Sequence, residues 1–185
     1  MDDLQIIEMF NQRNEKAISE TETKYGKKCR MLSYNILNNL QDSEECANDS
    51  YLVLWNRIPP ETPKNLCAYL LRIVRNLSLK RYEYNTASKR NSHFDLALDE
   101  LESVIGDKSS PDEKIIAEDL GEQINYFLHS LPEEHRKMFM QRYWYGCSVK
   151  KIADENYQTP HNVSVKLSRI RSQLKIYLNE RGYEI

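Results

Sequence analysis

The sequence predicts an all-α protein of two small helical domains joined by an acidic linker, and three observations carry that reading. Glycine is scarce, five in 185 residues, and no β-branched run alternates with polar residues as a half-buried strand requires. Apolar residues recur instead at three- and four-residue spacing along most of the chain. The pattern lapses in two polar stretches, NTASKRNSH and GDKSSPDE, where Gly106, Ser109, Ser110 and Pro111 act as breakers. The domains are placed at residues 1–88 and 113–185, with the linker at 89–112.

The elements follow in order. Leu4, Ile7 and Phe10 open a short helix. A longer one covers 14–38, with Ile18, Tyr25, Cys29, Leu32, Ile36 and Leu37 as its stripe. A third starts after Asp42, an N-cap type with Glu45 three residues on, and carries Cys46, Tyr51, Leu52 and Trp55. Pro59, Pro60 and Pro63 stop it, since proline lacks the N–H and disfavours helix at the residue before it. A fourth helix covers 64–84, with Leu66, Tyr69, Leu70, Ile73, Leu77 and Leu79 on its apolar face. The short apolar piece from Phe94 to Ile105 lies inside the linker and either docks weakly or forms one helix. Further helices are expected at 112–130, 132–145, 148–155 and 160–181. At Leu131-Pro132-Glu133-Glu134 proline suits a first turn and the acids suit the positive helix end.

Apolar residues make up 40% and charged residues 29%, the balance of a folded chain. The net charge of −2 argues weakly against nucleic acid when taken whole, but the charges are segregated. Lys64, Arg72, Arg75, Lys80, Arg81, Lys89 and Arg90 face only Glu83, with Tyr69, Tyr82 and Tyr84 interleaved. Basic groups track phosphates and aromatic faces stack on unpaired bases. An acidic stretch from Asn91 to Gln123 follows, and then Lys166, Arg169, Arg171 and Lys175 stand without an acid between His161 and Lys175.

Several classes are set aside. Cys29, Cys46, Cys67 and Cys147 are scattered, so no local zinc knuckle forms and no metal is expected. Scattered thiols, together with an acidic N-terminus whose apolar stretch is too short for a signal peptide, point to a cytoplasmic protein. No run of about 18 apolar residues marks a membrane span. His93, His129, His135 and His161 are dispersed, and no HExxH or glycine-rich phosphate loop occurs, so neither an enzyme nor a cofactor is expected.

The stretch SVKKIADENYQTPHNVSVKLSRIRSQL has the layout of a helix-turn-helix. Ile152 and Ala153 fit a short first helix, Asn156 to Gln158 the turn, Thr159 the N-cap and Pro160 the first helical residue. The second helix buries Val163, Leu167, Ile170 and Leu174. Its opposite face holds His161, Val165, Ser168, Arg169 and Ser172, with Asn162, Lys166 and Arg171 toward the flanks. Short polar groups and an arginine suit base edges in the major groove, and flanking cations suit phosphates. An ordinary regulator with an N-terminal sensing domain would account for this part alone.

Taken together, four stretches resemble one family. Asp42-Ser43-Glu44-Glu45-Cys46-Ala47-Asn48-Asp49-Ser50-Tyr51-Leu52-Val53-Leu54-Trp55 looks like the signature helix of sigma domain 2, with Asn48 in place of the usual glutamine and Cys46 in place of leucine. AYLLRIVRNLSLKRYEY resembles the family's segment that melts and reads the −10 element, with Lys80 where an aspartate is common. SLPEEHRKMFMQRYWYGCSVKKIADE and the stretch from Thr159 to Arg171 resemble sigma domain 4, with Asn162-Val163 where the family has Thr-Val and Ile170 for an alanine. Their order, spacing and the chain length resemble a short sigma factor of the extracytoplasmic-function group.

The resemblance implies binding to bacterial core RNA polymerase, recognition of −10 and −35 promoter elements, and assistance in promoter opening. Core binding, to the β′ coiled coil, would fall on Glu44, Glu45, Asn48 and Asp49. The −10 element would fall on Lys64, Arg72, Arg75, Asn76, Lys80 and Tyr82, and the −35 element on His161, Asn162, Val165, Lys166, Ser168, Arg169 and Arg171. The family also makes an anti-sigma factor a candidate partner.

Overall fold

The structure, a computed structural model, describes residues 1–85, 93–105 and 114–183. Among these the regular structure is entirely helical. The chain divides into two compact units, Met1–Ser92 and His93–Ile185. Most of the two polar stretches that frame the expected linker, including Lys89, Arg90 and Gly106 to Asp112, lies outside the described residues.

In the first unit α1 (Asp3–Asn11) begins with a reciprocal cap. The Asp2 carboxylate accepts from the Gln5 N–H at 2.8 Å, and the Gln5 side chain accepts from the Asp2 N–H at 3.2 Å. Helix α2 (Lys16–Leu37) ends where Asn38 adopts the left-handed conformation, φ 49°, which asparagine tolerates better than most residues. The next residue, Asn39, is extended and caps α3 (Leu40–Arg57), its side chain accepting from the Asp42 N–H at 3.1 Å. The cap expected at Asp42 therefore falls three residues earlier. Two consecutive asparagines suffice to end one helix and start the next, which leaves the Asp42 carboxylate for other partners. Asn65 accepts from the Ala68 N–H at 2.8 Å at the head of α4 (Leu66–Asn85).

Helices α2, α3 and α4 pack on one another, and α1 lies against α2 and α4. Their core holds Ile6, Phe10, Leu32, Ile36, Leu54, Ile58, Leu66, Leu70 and Val74, all fully buried. Small polar residues occupy the close crossings: the Ser78 and Ser33 hydroxyls meet at 2.8 Å in the interior, so each finds a partner there. On α4 the buried face runs through Leu66, Leu70, Leu71, Ile73, Val74 and Ser78. It is rotated from the expected stripe, and Tyr69 and Leu77 are left half-buried.

The second unit comprises α5 (His93–Ile105), α6 (Lys114–Ser130), α7 (Glu133–Phe139), a π-helical turn (Met140–Trp144), α8 (Val149–Glu155) and α9 (Pro160–Asn179). Two acids fill the first turn of α7, as the sequence predicts, while Pro132 stands at the N-cap just before it and not in the first turn. The single helix expected at 132–145 is instead broken by the π turn. There Tyr145 N–H donates to the Met140 carbonyl at 3.0 Å and Cys147 N–H to the Gln141 carbonyl at 2.9 Å. The wider turn inserts a residue into the register, and within it Arg142 and Tyr143 are buried. The core joins Met138, Ile152, Ala153, Val163, Leu167, Ile170, Leu174 and Leu178. Ala97 and Val104 of α5 belong to the same core. The apolar piece that the sequence leaves in the linker is thus a docked helix of this unit.

Candidate nucleic-acid interface

In the second unit, α8 and α9 follow one another across a short turn, at the bounds the spacing predicts. Ser148 caps α8, its hydroxyl accepting from the Lys151 N–H at 3.2 Å. Thr159 caps α9 through the Asn162 N–H at 3.2 Å, with Pro160 in the first turn. Ala153 is fully buried where the helices meet. In the turn Tyr157 has φ 53° with its ring 98% exposed. A left-handed residue with a Cβ costs about 1–2 kcal/mol, partly offset in any glycine variant by lost chain freedom. Tyr157→Gly is therefore expected to stabilise the protein by roughly 0.5–1 kcal/mol, read as a higher melting temperature. Tyr157→Ala, which keeps the Cβ, should give no such gain. An equal gain from both would discard strain as the cause.

Burying Val163, Leu167, Ile170 and Leu174 fixes which face of α9 looks outward. His161, Asn162, Ser168, Arg169 and Ser172 are exposed, and Val165 is half-exposed beside them. Of the flanking cations, Lys166 is held by Glu134 at 2.7 Å, and that carboxylate also accepts from Gln158. Lysine and glutamine together hold the Glu134 carboxyl below its ordinary value. Arg171 is turned inward: its Nη1 donates to Glu100 at 3.0 Å and to the Tyr143 hydroxyl at 2.6 Å. In this conformation it is a tie within the unit and not part of the exposed face.

The first unit offers a different surface. A pocket of about 340 Å³ opens between the end of α3 and α4, lined by Val53, Arg57, Glu61, Tyr69, Arg72, Ile73, Asn76 and Leu77. The proline segment brings Glu61 back toward α4, where the Tyr69 hydroxyl donates to its carboxylate. Burial, and then the Glu61 carboxylate, raise the Tyr69 hydroxyl above its ordinary value. A hydrogen bond with Tyr69 raises Arg57. Two guanidiniums, a phenol and a carboxamide thus converge on one half-open cavity. Of the residues predicted from sequence, Arg72 and Asn76 line it, and Lys80 lies one turn further along the same face of α4. Lys64 is exposed just before the helix. Arg75 and Tyr82 are half-buried, and desolvation pushes the Arg75 guanidinium down. Glu61 lies in the loop Pro60 to Asn65 that the family resemblance also points to, whereas Arg57 was missed, because only the reversal at the prolines brings the end of α3 to face α4 there.

On α3, Glu44, Asn48 and Asp49 are exposed as a polar face. Glu45 is engaged: Arg81 bridges Glu45 and Asp42, each at 3.1 Å, and Asn85 donates to Asp42 at 2.9 Å. The predicted set thus divides into three outward groups and one carboxylate tied to α4. Beside them, Leu52 and Trp55 join Glu15, Ile18, Ser19 and Glu22 in an open groove. Trp55 meets Phe10 edge-on at 6.1 Å and carries the Arg13 guanidinium 5.3 Å above its ring.

The four cysteines are free thiols, and burial pushes Cys29 up to about 12, the thiol form being the one that tolerates an apolar site. Among the described residues no group of three or more His, Cys, Asp or Glu is placed to hold a metal ion, and no helix is long and apolar enough to cross a membrane. No family model matches the chain, and no curated protein matches it.

Proposed function

We propose that the protein is a two-site DNA-binding protein, in which one helical unit engages unpaired DNA and the other reads duplex DNA. More specifically, it acts as a sigma factor of the extracytoplasmic-function type, a cytoplasmic subunit that brings core RNA polymerase to promoters and assists their opening. One observation carries this reading. A single chain combines a basic, aromatic pocket large enough for a base, at Arg57, Tyr69, Arg72 and Asn76, with a separate helix-turn-helix whose His161, Asn162, Ser168 and Arg169 face outward. An ordinary regulator needs only the second. The exposed Glu44, Asn48 and Asp49 of α3 are assigned to the β′ coiled coil, and an anti-sigma factor would compete for such surfaces.

The test is run-off transcription with purified bacterial core polymerase on promoter fragments from the source genome, with and without the protein. Transcripts that depend on the protein support the reading. Duplex binding by the protein alone, without such transcripts, would move the assignment to an ordinary regulator. Within the proposal, Asn76→Ala is expected to weaken open-complex formation by about 1 kcal/mol, the worth of a hydrogen bond, or roughly fivefold. The loss should vanish into the noise for binding to closed duplex. Equal losses on closed and pre-melted templates would remove Asn76 from the opening step.

A further inference from the structure

Away from the exposed faces, a polar cluster of the second unit surrounds one carboxylate. Glu100 stands on α5. Its Oε1 accepts from Arg142 Nη2 at 3.0 Å, and its Oε2 accepts from the Tyr143 hydroxyl and from Arg171 Nη1, both at 3.0 Å. The two arginines have different surroundings. The Arg142 side chain is 3% exposed and also donates to the Cys147 carbonyl at 3.2 Å, so it belongs to the interior. Arg171 lies on the flank of α9, its side chain 20% exposed. Arg171 is thus a second cation on a carboxylate that Arg142 already holds, and it stands on the α9 flank.

We propose that Glu100 stands in for a DNA phosphate at Arg171. Helix α5 holds the guanidinium back, and removing the carboxylate adds one phosphate contact to duplex binding. The inference rests on the reading of α9 as the duplex-facing helix and adds the regulation of that face. Chemically the exchange is symmetrical: a carboxylate and a phosphate each accept a charge-assisted bond from guanidinium, and the phosphate brings a full charge not already shared with Arg142. The opposite flank differs. Lys166 pairs with Glu134, which is half-exposed, and such a surface pair yields readily to a competing anion. Helix α5 therefore also sets how many cations α9 can offer.

The experiment is binding of the full chain to a short random-sequence duplex, measured as affinity against salt concentration. Glu100→Gln should bind more tightly at low salt, and the slope of log affinity against log salt should steepen by about 0.9, the signature of one added phosphate contact. Arg171→Gln in the Glu100→Gln background should abolish the gain. Circular dichroism reports whether Glu100→Gln folds; if it does not, Glu100→Gln/Arg142→Met removes the buried cation with its partner and carries the same expectation. An unchanged slope in a folded variant, or a gain that survives Arg171→Gln, overturns the clamp alone. Absence of duplex binding by every form at low salt removes the reading of α9, and the clamp falls with it.

Discussion

Glu100→Ala is expected to destabilise the second unit by about 3 kcal/mol, the low end of the cost of breaking a buried ion pair from one side. The reason is the partner left behind. Arg142 sits in the π turn with its side chain 3% exposed, and without Glu100 its buried charge loses the carboxylate that meets it at 3.0 Å. Glu100 itself keeps 31% of its side-chain exposure, which places the value at the low end. The chain has one tryptophan in each unit, Trp55 and Trp144, so urea unfolding of a Trp55→Phe background reads the second unit by itself. Asp99→Ala, an exposed acid on the same helix, serves as the control and should stay within about 0.5 kcal/mol. Equal losses would mean that α5 contributes by packing and not through its carboxylate.

The same pair sets a pH dependence. Burial raises the Glu100 carboxyl, but Arg142, Tyr143 and Arg171 together bring it below its ordinary value of 4.5. A carboxyl lowered by folding stabilises the native state above its unfolded pKa and loses that contribution as pH falls through the folded value. The acid limb of the stability curve, below about pH 4.5, should therefore flatten in Glu100→Ala.

Helix identity was legible in the sequence wherever a local rule decided it. Thr159-Pro160 announces a helix start through its side-chain cap, Pro132-Glu133-Glu134 through proline and acids at the positive helix end, and Val163, Leu167, Ile170 and Leu174 define the inner face of α9 by spacing alone. Interactions between elements were not legible. Glu100 is one acid among many in its stretch, and nothing local separates it from Asp99 or Glu102; its role comes from where α5 docks. Arg142 is buried within a π turn that no local rule announces. Arg171 follows from both, since its place on the helix leaves it free to turn either way. In the first unit the pattern placed Tyr69 and Leu77 in the core, whereas Leu71 and Val74 took those positions and left the former pair to line a pocket. One step of helix rotation separates a core face from a candidate binding face.

That sorting of α9 yields the sharpest functional expectation. Arg169 is exposed among Ser168 and Ser172, on the face opposite the buried stripe, while Arg171 is tied to Glu100 and Lys166 to Glu134. Arginine recognises a guanine edge through two parallel bonds, and a good pair of that kind discriminates by about 1–3 kcal/mol. If α9 reads duplex DNA as proposed, Arg169→Ala should relax preference at one base pair of its duplex site by roughly 5- to 150-fold, tenfold corresponding to about 1.4 kcal/mol, and leave other positions as they were. Arg169→Lys should recover little, because an ammonium cannot reproduce the fork. Competition among duplexes that differ at single positions gives the readout. A loss spread evenly over all variants would reassign Arg169 to the phosphate backbone, since a phosphate contact strengthens binding without regard to sequence. Lys166→Ala provides that comparison within the same helix: its loss should be uniform across duplexes and should grow as salt is lowered.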